Sequence, residues 1–186
     1  MKRIFDLVLA ILFSSLLLIP LLLLAIAVAL TSRGPVLYWS DRVGRDNAVF
    51  KMPKFRSMRM GTPIVATHLL IQAHEYLTPV GGFLRKTSLD ELPQLWSIIN
   101  GDMSFVGPRP ALFNQTDLIE LRTRHGVHHL VPGLTGWAQV NGRDELPIPD
   151  KVALDVAYMN TRSLLLDIRI LCMTVFKVLA RDNILH

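Results

Sequence analysis

Two adjacent carboxylates, Asp90 and Glu91, lie in the run Thr87-Ser88-Leu89-Asp90-Glu91-Leu92-Pro93-Gln94-Leu95, with Arg85 just before it and Gly107-Pro108-Arg109-Pro110 after it. Acids set among arginines point to chemistry on a phosphate. An ionised carboxylate can attack phosphorus or hold a divalent cation, and a guanidinium binds oxyanions through paired donors. The prolines flanking Arg109 stiffen its loop and preorganise the guanidinium. A plainer use of the same residues is open as well. Ser88 and Glu91 have capping-box spacing, and Asp90 as N-cap would leave Pro93 in the tolerated first turn of a helix over residues 89–100. Both uses agree on ionised acids, because a helix N-terminus is a positive field.

Two further groups could serve such a site. Lys54-Phe55-Arg56-Ser57-Met58-Arg59 is either a solvated face or a contact to a phosphate or lipid headgroup. Gln139, Asn141 and Arg143 alternate with Val140 and Gly142, a pattern that suits a base or sugar reader and equally an edge strand with its turn. A metal site at His125, His128 and His129 is disfavoured, because no carboxylate or cysteine stands at ligand spacing.

The elements that must position these residues begin with an uncharged apolar run over residues 7–30. It is long for a signal peptide, and no small-residue cleavage site follows before Arg33. Pro20 divides it, and neither half could cross a bilayer of ~30 Å. Lys2 and Arg3 before the run and Arg33, Arg42 and Arg45 after it draw both ends to the cytoplasm. A re-entrant hairpin and a Pro-kinked spanning helix are therefore the two readings, and Ser14 or Ser15 could partner the carbonyl freed by Pro20. The composition agrees with membrane association: 51% of the residues are apolar and the mean hydropathy is +0.36. The formal charge is +5, with nine Lys/Arg against three acids in residues 1–60, a balance suited to anionic lipid or phosphorylated substrates. Cys172 is the single cysteine, so an intramolecular disulfide is excluded.

Residues 36–39 and 48–51 read as short strands of a hairpin, with Tyr38 and Trp39 at lipid headgroups or in the core. Residues 67–76 suggest a short helix, 103–106 an apolar link, and 111–124 a helix. A rigid loop over 132–137 follows, then helices over 149–160 and 163–181. The last is too interrupted by charge to span, and suits core packing or the membrane interface.

Lys54-Phe55-Arg56-Ser57-Met58, residues 85–95, Gly101-Asp102-Met103-Ser104-Phe105-Val106-Gly107-Pro108-Arg109-Pro110 and residues 132–143 together resemble the bacterial sugar transferases, the small monotopic phosphoglycosyl transferases. The resemblance runs nearly the whole chain, in order, and matches the minimal catalytic form. It implies an α+β, mostly helical fold: a re-entrant membrane helix over 1–32 broken at Pro20, and a catalytic domain over 33–186 with a small β-hairpin and amphipathic interfacial helices. Ile19 stands where the family usually has serine.

The resemblance also implies transfer of a phospho-sugar from a UDP-sugar to polyprenyl phosphate with Mg²⁺, on the cytoplasmic face of the bacterial inner membrane. Asp90 would be the nucleophile and Glu91 the Mg²⁺ ligand. Arg109 and Arg85 would bind phosphate with Pro110 beside them, Lys54 and Arg56 would complete the positive pocket or meet the lipid phosphate, and Gln139, Asn141 and Arg143 are further binding candidates. An N-acetylated amino sugar is the first expectation for the donor. Nucleic acid is not an expected partner, and the oligomeric state is open. Two rivals stand: a membrane-anchored glycosyltransferase that releases UDP, and a non-catalytic membrane scaffold.

Overall fold

The computed structural model describes residues 1–63, 73–142 and 146–179. Helices α1 (Lys2–Leu16) and α2 (Leu18–Thr31) meet at Leu17 with a bend of 63°. Proline explains the bend: Pro20 has no N–H to donate, and its ring crowds the carbonyl four residues back, that of Leu16. The break therefore falls at Leu17, one turn before Pro20 and not at it. Ser15 Oγ donates to Ile11 O at 2.9 Å within α1. Among the described residues, neither Ser14 nor Ser15 reaches the Leu16 carbonyl. Among the described residues no single helix is long and apolar enough to cross a membrane, whereas the bent pair together has the length and composition to do so.

Strands β1 (Leu37–Val43) and β2 (Val49–Phe55) form the expected antiparallel hairpin, longer than the apolar residues alone suggested. Its turn uses left-handed backbone at Asp46 and Asn47, with φ of 54° and 61°, a conformation these short polar residues tolerate. After α3 (Gly81–Lys86), residues Leu89–Gln94 form a 3₁₀ turn and only Leu95–Asn100 are α-helix, α4. The single helix expected over 89–100 is thus split. Gly101, with φ of 98°, closes α4.

Strand β3 (Ser104–Val106) comes next, then β4 (Ala111–Leu112), which adds to β1 and completes a sheet of order β2-β1-β4. The helix expected over 111–124 begins only at Thr116, as α5 (Thr116–Arg124). The supposed rigid loop contains strand β5 (Gly133–Thr135), parallel to β3 with Ser104 opposite Gly133 and Val106 opposite Thr135. Glycine makes this pairing possible: a Cβ on Gly107 or Gly133 would collide with the other segment's backbone. Three helices end the described chain: α6 (Trp137–Asn141), α7 (Ile148–Thr161) and α8 (Leu164–Leu179). Residues 64–72 lie outside the described residues, so of the helix expected over 67–76 only a 3₁₀ turn at Ala73–Tyr76 is seen.

The main core joins Ile98, Met103, Phe105, Val106, Tyr158 and Ile170. A second cluster of Val28, Phe55 and Leu84 fastens α2 to β2 and α3. The start of α1 is tied in by polar bonds. Lys2 Nζ donates to Val106 O (2.9 Å), Tyr158 Oη (3.1 Å) and Asp167 Oδ2 (2.5 Å). Arg3 donates to Ile98 O and Ile99 O, and Asp6 accepts from Ser104 Oγ and Phe105 N. Apolar side chains remain outside: Ile4, Leu16, Ile19 and Leu30 on the bent pair, and Leu165 and Phe176 on α8. Helix α8 packs into the core through Ile170 and exposes Phe176. Tyr38 and Trp39 are exposed, not core.

Candidate active site

The short 3₁₀ turn carries the two acids onto β2. Ser88 before it has φ of 58° and makes no capping bond to the turn. The capping box expected of Ser88 and Glu91 is absent because Glu91 is spent on cations. Its Oε1 accepts from Lys54 Nζ at 2.6 Å and from Arg109 Nη2 at 2.9 Å. Lys54 projects from β2 and Arg109 from the loop between β3 and β4, so three distant segments converge on one carboxylate oxygen. Burial alone would raise the Glu91 carboxyl, but the Arg109 and Lys54 charges and their hydrogen bonds outweigh it and hold it far below the usual carboxylate range. Burial pushes the Lys54 ammonium below its ordinary value, with Glu91 opposing.

Asp90 is different. It is 8% exposed, and its carboxylate accepts no hydrogen bond among the described residues. Burial raises its pKa; Lys54 counteracts, the Glu91 charge adds to the rise, and Arg85 and Arg109 counteract further. An uncommitted, more basic carboxylate among cations is what nucleophilic attack on a phosphate needs. Glu91 suits another task. Its Oε2 accepts no hydrogen bond among the described residues, and a carboxylate oxygen is the donor a hard divalent cation takes.

Of the other sequence candidates, Arg85 at the end of α3 joins the site: its charge acts on Asp90, and its Nη1 approaches Met58 Sδ at 3.2 Å. Pro110 is buried beside Arg109, and its carbonyl accepts from Arg42 Nη1 at 3.2 Å. Arg56 is not in the acid pocket; it is buried against the end of α2, donating to Ser32 O and Oγ. The basic segment is therefore no solvated face. Gln139 and Asn141 lie on α6, so the alternating, strand-like reading of 139–143 is corrected to a helical one. Asn141 Nδ2 donates to Trp137 O within that helix, Gln139 is half-buried, and no described bond links either to the acids. Arg143 lies outside the described residues.

Sequence reasoning missed the support beneath Arg109. Arg122 Nη1 donates to the Arg109 carbonyl at 2.7 Å, while its Nε and Nη2 grip Asp155 Oδ2 at 3.0 and 2.7 Å. This buried pair joins α5, α7 and the arginine loop. Nothing local in the sequence pairs Arg122 with Asp155; only their unusual burial as charges reveals them. Sequence spacing also hid the partner of the histidines. Asp46 comes from the hairpin turn to within 2.7 Å of His129 Nδ1, and Asp46, His128 and His129 offer ligand atoms within 4.8 Å of one another.

A family model described as bacterial sugar transferase matches residues 1–181. The chain is 39% identical over 185 residues to the sugar transferase EpsL of Bacillus subtilis, an alignment covering 99% of this chain and 90% of EpsL. It is 41% identical over 184 residues to the UDP-glucose:undecaprenyl-phosphate glucose-1-phosphate transferase of Escherichia coli, covering 95% of this chain and 40% of that protein. It is 39% identical over 167 residues to the undecaprenyl-phosphate galactose phosphotransferase of Salmonella typhimurium, covering 81% and 34% respectively. The chain thus spans less than half the length of the last two. With the match running from the first residue of α1 to beyond α8, the chain belongs to the bacterial sugar transferase family.

Proposed function

We propose that the chain transfers a sugar phosphate from a UDP-sugar to polyprenyl phosphate, with Asp90 as nucleophile. One observation carries this reading. Two neighbouring acids are divided in role, Glu91 locked between Lys54 and Arg109 and Asp90 left without a hydrogen-bond partner among the described residues. The named activities of the Escherichia coli and Salmonella typhimurium relatives support the reaction class.

An Asp90 oxygen attacks the phosphorus that carries the sugar, the bond from that phosphorus to the bridging oxygen of the diphosphate breaks, and UMP leaves. A phosphate oxygen of the polyprenyl phosphate then attacks the same phosphorus and releases the Asp90 carboxylate, giving a polyprenyl diphosphate sugar. An anion approaching a diphosphate meets Coulomb repulsion, which Arg109, Arg85 and Lys54 reduce at the point of attack. Glu91 orients Lys54 and Arg109 through Oε1, and its Oε2 is the atom that would hold Mg²⁺. The ion would supply further neutralisation of the diphosphate charge. The bent α1–α2 pair re-enters the cytoplasmic face of the membrane in this reading, supported by its apolar exposed side chains and basic flanks. The quoted relatives that name a sugar name glucose or galactose, so these donors come before the amino sugar.

The test is nucleotide release by the detergent-solubilised chain with Mg²⁺, polyprenyl phosphate and UDP-glucose, UDP-galactose or UDP-N-acetylglucosamine. UMP is the expected product. UDP would refute the aspartyl route in favour of plain glycosyl transfer. Asp90→Asn should lower turnover by roughly a thousand-fold or more, and near-normal turnover in that variant would remove Asp90 from the chemistry.

A further inference from the structure

An open cavity of about 270 Å³ lies where α2 leaves the apolar pair, apart from the two acids. Ser32 and Arg33 form one wall, Arg56 and Arg59 a second, and Thr78 a third. Among the described residues its lining includes three arginines and no carboxylate. Arg33 and Arg59 are exposed, and their side chains have no hydrogen-bond or ion-pair partner among the described residues. Arg56 is 3% exposed. Its Nη2 is used by Ser32 O and Oγ, both at 2.7 Å, while Nε and Nη1 have no partner. A buried guanidinium without a counter-charge is unfavourable, and an oxyanion in the adjoining cavity would supply one.

We propose that this cavity holds the phosphate headgroup of an anionic membrane phospholipid, which pins the end of α2 to β2 and α3. The proposal rests on the membrane reading of the bent pair but not on the transfer reaction. Two features favour a resident lipid over a substrate. The cavity adjoins the exit of an apolar helix whose Leu23, Ile26 and Leu30 are exposed, so a headgroup here places its acyl chains along α2. Neither Asp90 nor Glu91 lines it, so a phosphate bound there has no group to attack it or to hold a divalent cation beside it.

The experiment is thermal unfolding and titration of the whole detergent-solubilised chain with short-chain phosphatidylglycerol. Phosphatidylcholine of equal chain length, inorganic phosphate and a short prenyl phosphate serve as parallel probes. Phosphatidylglycerol should raise the melting temperature where phosphatidylcholine and inorganic phosphate do not. The double variant Arg33→Gln/Arg59→Gln, altered only at exposed positions, should bind it roughly 10- to 30-fold more weakly. Equal binding in the variant would overturn the proposal. Equal stabilisation by inorganic phosphate would make this a free-anion site, and stabilisation by prenyl phosphate alone would make it an acceptor site; either result also overturns it. UMP release is measured separately, so loss of the transferase reading leaves this outcome readable.

Discussion

Burial acts on both acids of the site, but only Glu91 has cations in direct contact. The folded-state pKa of Asp90 is raised, so its stabilising contribution is present below its unfolded value and lost as pH rises through the folded one. Once ionised, Asp90 therefore weighs against the fold. Asp90→Asn should raise the melting temperature by ~2 °C or more while abolishing turnover; a melting temperature below that of the parent would refute the electrostatic argument. Glu91 has the opposite sign, its contribution being present above the unfolded carboxylate pKa and lost as pH falls through the depressed folded one. Attack requires ionised Asp90, so turnover should fall on the acid side at a higher pH than an ordinary aspartate would give. Lys54→Met removes a charge that favours the ionised form and should move that limb higher still, read from the pH profile of UMP release. Glu91→Gln should raise the Mg²⁺ concentration needed for half-maximal rate, and an unchanged requirement would remove Glu91 as a ligand. The acids, Lys54 and Arg109 were legible as chemical types in a motif. Their division of labour was not, because it depends on which carboxylate oxygen two distant cations reach.

At the scale of elements, Arg109 is held from behind by a buried ion pair between α5 and α7. Asp155→Ala strands Arg122 and should destabilise the fold by about 3–5 kcal/mol. Should the variant fold, Arg122 no longer grips the Arg109 carbonyl firmly and KM for the UDP-sugar should rise; unfolding at the parent's denaturant midpoint would refute this. The hairpin, α7 and α8 were readable from periodicity and punctuation. The 3₁₀ turn, the short strands β3 to β5 and helix α6 were not, since segments of two to six residues take their form from what they pack against. The bend at Leu17 offers its own check. Pro20→Ala restores a donor and should straighten the pair toward a spanning helix. A cysteine placed at Lys2 should then become accessible to an impermeant reagent outside intact cells, where the parent sequence keeps it protected.

For the whole molecule, the division into a membrane segment over 1–32 and a catalytic remainder is crossed by side chains at the very start of α1. Lys2, Arg3 and Asp6 bond to β3, α4, α7 and α8. A chain of residues 33–186 alone should consequently fail to unfold cooperatively, and a sharp near-ultraviolet circular-dichroism transition from it would refute that expectation. Composition and charge pointed to membrane association; that the first turn of α1 is also part of the core could come only from long-range contacts. Those contacts set an order for biosynthesis. Lys2 leaves the ribosome long before Val106, Tyr158 and Asp167, its eventual partners. The apolar pair is complete while most of the chain is still being made, but the ammonium of Lys2 must wait for α8 to emerge before Asp167 neutralises it. Assembly is thus gated by α8, and a chain stalled before it would be left with its core open.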